Sequence, residues 1–252
     1  IRSPHGIILV TGPTGSGKST TLYGAIHQLR SETANITTIE DPVEIQIKGV
    51  NQTQIDTGLK ITFASALRAI LRQDPDIIMV GEIRDKETIN IALQAAITGH
   101  LVLSTLHTND SCSAFARLFD MGAEPFLVAN ALRAVLAQRL VRRVCADCCY
   151  WEMITLRELE MLGIAGEEPF MVKRVKGCER CRNKGYRDRM GIFELLVVDD
   201  TLGRMILKDE PRSAVLAYVR ENLGFRTLRD DGIDKIRRGL TTPEEIMRVT
   251  ME

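Results

Sequence analysis

Gly12-Pro13-Thr14-Gly15-Ser16-Gly17-Lys18-Ser19 fits the pattern G-x-x-x-x-G-K followed by Ser or Thr at every position. These types at this spacing serve phosphate chemistry. Glycines let the backbone curl so that successive N–H groups point inward at phosphate oxygens. A helix opening at Lys18 adds the positive end of its dipole. Lys18 suits the β- and γ-phosphates of a nucleoside triphosphate, and the Ser19 hydroxyl suits Mg²⁺. The predicted binding stretch therefore runs from Gly12 through Thr20. An idle Gly-rich turn is the plain alternative, and the strand-like text before it and helix-like text after it argue against that.

A phosphate loop needs an acid near the metal and a group to orient attacking water. Two apolar runs end in such residues: Ile36 to Ile39 before Glu40-Asp41-Pro42-Val43-Glu44, and Ile77 to Val80 before Gly81-Glu82-Ile83-Arg84-Asp85. In an open parallel sheet the carboxyl ends of the strands share one edge, so Glu40 and Glu82 are candidates at the phosphates. The flat apolar strand before Glu82 is expected beside the strand of the phosphate loop itself. The competing reading is that these acids cap the next helices, as Asp85 would. His107 follows the run Leu101 to Leu106, where an imidazole would either sense the γ-phosphate or serve structure alone.

Five of the six cysteines lie between positions 145 and 181, and Cys112 stands apart. Cys145 and Cys148 form one C-x-x-C pair, Cys178 and Cys181 another, with 29 residues between them. Each such turn chelates one edge of a tetrahedron, which points to zinc. Redox chemistry of the thioredoxin kind is the alternative. Cys149 either replaces Cys148 as a ligand or is a bystander. From Phe170 to Met190 there are eight basic residues (Lys173, Arg174, Lys176, Arg180, Arg182, Lys184, Arg187, Arg189) against Glu179 and Asp188. Such a patch suits nucleic acid, a protein partner or plain solvation. Phe170 and Tyr186 are too few aromatics for base stacking, so protein docking is the favoured reading.

The elements that must position these groups follow from apolar periodicity. Strands are expected at Ile7–Thr11, Ile36–Ile39, Ile77–Val80 and Leu101–Leu106. Helices are expected at Lys18–Leu29, Phe63–Leu71 and Ile89–Ile97. This alternation implies a mostly parallel sheet covered on both faces. The polar text between Val43 and Thr62 suggests a hairpin insertion. Helices are expected at Cys112–Phe119 and Pro125–Leu136, then one near Thr155–Leu162, a strand at Ile192–Val198, and three or four short helices between Thr201 and Val249. Pro211 and Pro243 suit first-turn positions. The chain divides into a nucleotide-binding core (1–143), a tetracysteine module (144–190) and a mainly helical C-terminal region (191–252). Equal totals of 33 basic and 33 acidic residues in 252 exclude a uniformly basic polyanion binder. No apolar run reaches membrane-span length and no export signal opens the chain. Its start without Met reads as part of something longer.

GPTGSGKST, IEDPVE, QDPDIIMVGEIRD and TGHLVLSTLHTND, in this order, resemble the Walker A, Asp box, Walker B and His box of the secretion ATPases of type II secretion and type IV pilus assembly. The resemblance spans almost the whole chain. It implies an α/β, RecA-like P-loop motor with an inserted Cys₄ module, acting as a hexamer at the cytoplasmic face of a bacterial inner membrane. ATP, Mg²⁺ and Zn²⁺ would be its cofactors. A cytoplasmic domain of a membrane platform protein would be its docking partner, with nucleic acid disfavoured. Carried over, Lys18 and Ser19 hold phosphates and Mg²⁺, Glu82 takes the Walker B role and can share the Mg²⁺, Glu40 is the Asp-box carboxylate and His107 the His-box residue. Gly81-Glu82 stands where an Asp is usual, so metal coordination is indirect or shared. All four family cysteines are present, which favours assembly or secretion over pilus retraction. Members also carry a domain before the Walker A stretch whose arginines reach the phosphates, so this chain alone is expected to turn over poorly.

Overall fold

In the computed structural model, which describes residues 1, 3–56 and 58–251, the apolar run at Ile7 is strand β1 (Gly6–Thr11) and the segment after the glycines is helix α1 (Lys18–Leu29). Alternation continues through β2 (Ile36–Glu40), β3 (Asn51–Gln54), α2 (Phe63–Ile70), β4 (Ile77–Val80), α3 (Lys86–Ile97) and β5 (Leu101–Leu106). Next come α4 (Ser113–Asp120), α5 (Pro125–Ala131) and the long strand β6 (Leu132–Val144). The rest comprises β7 (Cys149–Met153), α6 (Leu156–Leu162), β8 (Met171–Val175), a 3-10 turn at Glu179–Cys181, β9 (Tyr186–Val197), α7 (Asp200–Leu207), α8 (Arg212–Asn222), α9 (Leu228–Arg237) and α10 (Pro243–Thr250). No helix among the described residues is long and apolar enough to cross a membrane.

One sheet runs β3-β2-β4-β5-β1-β6-β9, and every pairing from β3 to β6 is parallel. Strand alternation sends Ile77 and Met79 toward Leu22, Tyr23 and Ile26 of α1, while Ile78 and Val80 join Leu67, Ile89 and Leu93 on the opposite face. All four β4 residues are buried, as a strand covered on both faces requires. Asp85 caps α3 by accepting from Thr88 N–H, the alternative role foreseen for the acids of that loop.

Four expectations need correction. β5 lies between β4 and β1, so Glu82 is two strands from the phosphate loop's strand. The segment expected as a hairpin is antiparallel only at the Asp56–Ile61 bridge; its strand β3 pairs parallel with β2 from Thr37↔Asn51 to Glu40↔Gln54. Its polar alternation marks a sheet edge, where one side of the strand meets water. The helix expected to reach Leu136 stops at Ala131, and Leu132 begins β6. Val128, Ala131, Leu132 and Val135 repeat at helical spacing, so the pattern alone misleads. Burying Leu132 and Val135 fully along β1 is worth about 1.5–3 kcal/mol each, more than the few tenths that separate helix propensities. Finally, Pro211 is the N-cap of α8, one position before the first turn, whereas Pro243 opens α10 as expected.

The chain groups into two compact units, Ile1–Ala137 with Leu195–Phe225, and Gln138–Glu194 with Arg226–Glu252. This grouping differs from the three-part reading: α7 and α8 belong with the first unit, α9 and α10 with the cysteine-bearing one. In the second unit β7 and β8 form an antiparallel ribbon. Within it Gly232 lets α9 approach α10, since a Cβ there would lie 2.7 Å from Ile246 Cγ2.

Candidate active site and metal centre

Within the first unit, the carboxyl ends of β1, β2, β4 and β5 carry the phosphate loop, Glu40, Gly81-Glu82 and His107 respectively. Parallel pairing puts all four on one edge of the sheet. The loop is shaped for an anion. Gly15 and Gly17 sit at φ 77° and 88°, in the left-handed region. A Cβ at Gly15 would meet nothing within 4 Å, so that side of the loop is open to a ligand. No side chain caps α1 and its first turn carries no acid, unlike capped α3, α6, α9 and α10. The positive end of that helix therefore faces the loop with no capping side chain and no acid of its own first turn. Lys18 Nζ donates to the carbonyls of Gly12 (2.9 Å) and Pro13 (3.0 Å), which holds the ammonium across the loop.

The two glutamates of the Glu40–Glu44 segment have different surroundings. Glu40 is 4% exposed and accepts from three side chains: Tyr23, Thr38 (2.5 Å) and Gln52 (2.9 Å). Burial and the hydrogen bond to Glu40 push the Tyr23 phenol up to about 12, so it is a donor at neutral pH. Glu44 is the acid at the Ser19 hydroxyl, its Oε1 accepting from Ser19 Oγ at 3.1 Å. The Glu40 carboxylate is thus engaged in the turn, while Glu44, part of the same motif, stands at Ser19. An i, i+4 pair of acids reads alike in sequence, and burial tells them apart.

Glu82 pairs with Arg84, and its Oε2 lies 3.7 Å from His107 Nε2. Partial burial, then the field of Lys18, lowers the His107 imidazole below its ordinary 6.5; Glu82 opposes this without prevailing. Neutral imidazole at pH 7 follows. The histidine-bearing turn is tied to the phosphate loop through Thr11, whose Oγ1 accepts from Thr108 N–H at 2.9 Å and lies 2.7 Å from Thr108 Oγ1. Gly81 is fixed by packing: a Cβ there would stand 3.2 Å from Ile39 O and 3.5 Å from Glu40 Cα. A side chain there would sit tightly against β2.

In the second unit, the Sγ atoms of Cys145, Cys148, Cys178 and Cys181 all lie within 4.8 Å of one another. Three of the separations are 3.7, 3.8 and 3.9 Å. Thiolates about 2.3 Å from a zinc ion at tetrahedral angles stand about 3.8 Å apart, whereas a disulfide needs about 2.05 Å. The donor set therefore fits a tetrahedral metal and not a pair of bridges. Cys181 is drawn down to about 6: burial raises it, but N–H donors from Cys178 and Gly185, each 3.2 Å from its sulfur, outweigh burial. Cys149 opens β7 with its sulfur 3.7 Å from Ala146 O, outside the cluster.

The basic stretch is less free than its composition implies. Arg174 is bound by Glu152, Glu158 and Glu244, and Arg180 by Asp147. The aromatic census also changes, because β7 brings Tyr150 and Trp151 beside Lys176 and Lys173, with the charge 4.9 and 5.5 Å from the ring centres. Both aromatics lie outside the basic stretch in sequence, before Phe170, so a linear window misses them; antiparallel pairing of Trp151 with Lys173 brings them in.

A sequence model of the family described as Type II/IV secretion system protein matches residues 1–248. The chain is 53% identical over 252 residues to the type II secretion system ATPase E of Vibrio cholerae, covering 100% of this chain and 50% of that protein. It is 50% identical over 254 aligned residues to the type IV pilus assembly ATPase PilB of Thermus thermophilus, covering 100% of this chain and 28% of PilB. The solved structure of the pilus retraction motor PilT with bound ADP is similar at a TM-score of 0.73 and 30% identity, covering 98% of this chain and 62% of PilT. The chain spans about half the length, or less, of these curated relatives.

Proposed function

The chain belongs to the type II/IV secretion system protein family, and from that premise we propose that it binds Mg-ATP at Gly12–Thr20 and hydrolyses it to power type II protein secretion or type IV pilus assembly. One observation carries the reading: the phosphate loop, the Ser19–Glu44 pair and the Glu82–His107 pair occupy a single sheet edge.

Lys18 neutralises charge on the β- and γ-phosphates. Ser19, with Glu44 behind it, holds Mg²⁺, and Glu82 can share that duty. The ion supplies charge neutralisation on the phosphoryl oxygens. Glu82 orients the attacking water and takes its proton as oxygen bonds to the γ-phosphorus and the bond to the ADP oxygen breaks. Neutral His107 offers or accepts a hydrogen bond at the same place. Glu40 contributes as an anchor of the turn that presents Glu44.

The four-thiolate cluster holds Zn²⁺ as a structural ion. The partners in this reading are further copies of the chain, in a hexamer, and the cytoplasmic domain of an inner-membrane platform protein, which the exposed Arg182, Lys184, Arg187 and Arg189 would face. The working place is the cytoplasmic side of that membrane. Steady-state phosphate release tests the reading. Glu82→Gln is expected to slow it about 100-fold or more while ADP still binds. Unchanged turnover in Glu82→Gln, or turnover that appears only with nucleic acid, would contradict it.

A further inference from the structure

Ser19 and Tyr23 lie four residues apart on α1, so they are neighbours on one helix face. Both reach the same short segment after β2. Tyr23 Oη donates to Glu40 Oε2 and accepts from the backbone N–H of Glu44 at 3.2 Å, while the Glu44 carboxylate accepts from Ser19 Oγ at 3.1 Å. Gln52 fastens the rest: its Nε2 donates to Glu40 Oε1 (2.9 Å) and Ile45 O (3.0 Å), and its Oε1 accepts from Ile47 N–H (2.6 Å). Tyr23 is 9% exposed and packs among Leu22, Ile26 and Met79, so its ring is held by the core and its hydroxyl cannot drift. A single phenol therefore grips both ends of the step from Glu40 to Glu44, and the far end of that step carries the acid at Ser19.

We propose that Tyr23 is a positioning residue which, through its hydroxyl, sets the Glu44 carboxylate against Ser19 and so governs how strongly Mg²⁺ reinforces nucleotide binding. This rests on the Mg-nucleotide reading of the site. Tyr23 acts only through Glu44; the segment it fixes touches the metal-binding hydroxyl. Removing the hydroxyl leaves the Glu44 N–H without its acceptor and Glu40 short of one donor, which frees the turn while Thr38 and Gln52 still hold Glu40.

Calorimetric titration of the chain with ADP, with and without Mg²⁺, separates this role from a structural one. Without Mg²⁺, Tyr23→Phe is expected to bind ADP as the parent does. The gain in affinity that Mg²⁺ brings should fall about 5- to 10-fold. Glu44→Gln should lose a similar share of that gain, and the double variant should lose little more, because both changes cut one chain of contacts. A full Mg²⁺ gain in Tyr23→Phe, or losses that add in the double variant, would overturn the proposal. So would a Tyr23→Phe protein whose ADP affinity drops equally with and without the ion, since that is a general packing effect. A parent chain that binds no ADP under either condition sinks instead the nucleotide reading itself, and the proposal with it.

Discussion

His107 stands between opposing fields, and the sign of each can be measured. Lys18 lowers its pKa and Glu82 raises it. Ring-proton NMR titration should therefore find His107 below 6.5 in the parent, higher in Lys18→Ala and lower in Glu82→Gln. A His107 that titrates alike in all three would remove it from the site. The same residues show what a sequence can and cannot reveal. Lys18, Ser19 and the glycines are legible because phosphate binding needs those types at that spacing within one short stretch. Glu82 is legible from its place after an apolar strand. Glu44 is hidden, because its meaning depends on a hydroxyl 25 positions earlier and on burial that commits Glu40 elsewhere.

At the scale of elements, β1, α1, α3, β4 and β5 could be read from period and punctuation, since each buries a pattern typical of its own geometry. β6 and β3 could not. The first carries a helical repeat that pairing with β1 overrides, and the second is a polar edge recognised only beside β2. The cysteine spacing made a four-thiol cluster legible but left Cys149 undecided, and the first turn keeps its sulfur out of that cluster. Zinc content measured on purified variants should stay near one per chain in Cys149→Ser and fall sharply in Cys148→Ser; the reverse would reassign the ligand. In the same unit Glu158 and Glu245 both stand at about 2 against an ordinary 4.5. Burial alone would raise them, but hydrogen bonds from Arg174 and Thr155 to Glu158, and from Arg248 and Arg142 to Glu245, prevail. A carboxylate depressed by folding stabilises above its unfolded pKa and loses that contribution as pH falls through the folded one. The melting temperature of the parent should thus drop faster than that of Glu158→Gln between about pH 4.5 and 2, with acid release of metal common to both. Parallel curves would mean that the Arg174 pairs contribute little.

For the whole molecule, alternation of strands and helices told the class of sheet but not its order. β5 between β1 and β4 is a matter of which crossover packs best, and no residue type records it. The membership of α7 and α8 in one unit and α9 and α10 in the other is equally invisible along the chain, because it follows from contacts between distant segments. What the shared edge does assemble is a phosphate loop with acids and an imidazole around it, an arrangement expected to bind Mg-nucleotide. Native mass spectrometry with Mg²⁺ and a slowly hydrolysed ATP analogue asks that directly. One nucleotide per chain is expected in the parent and none in Lys18→Ala, with zinc retained in both. A Lys18→Ala chain that keeps its nucleotide, or a parent that takes up zinc and no nucleotide, would contradict it.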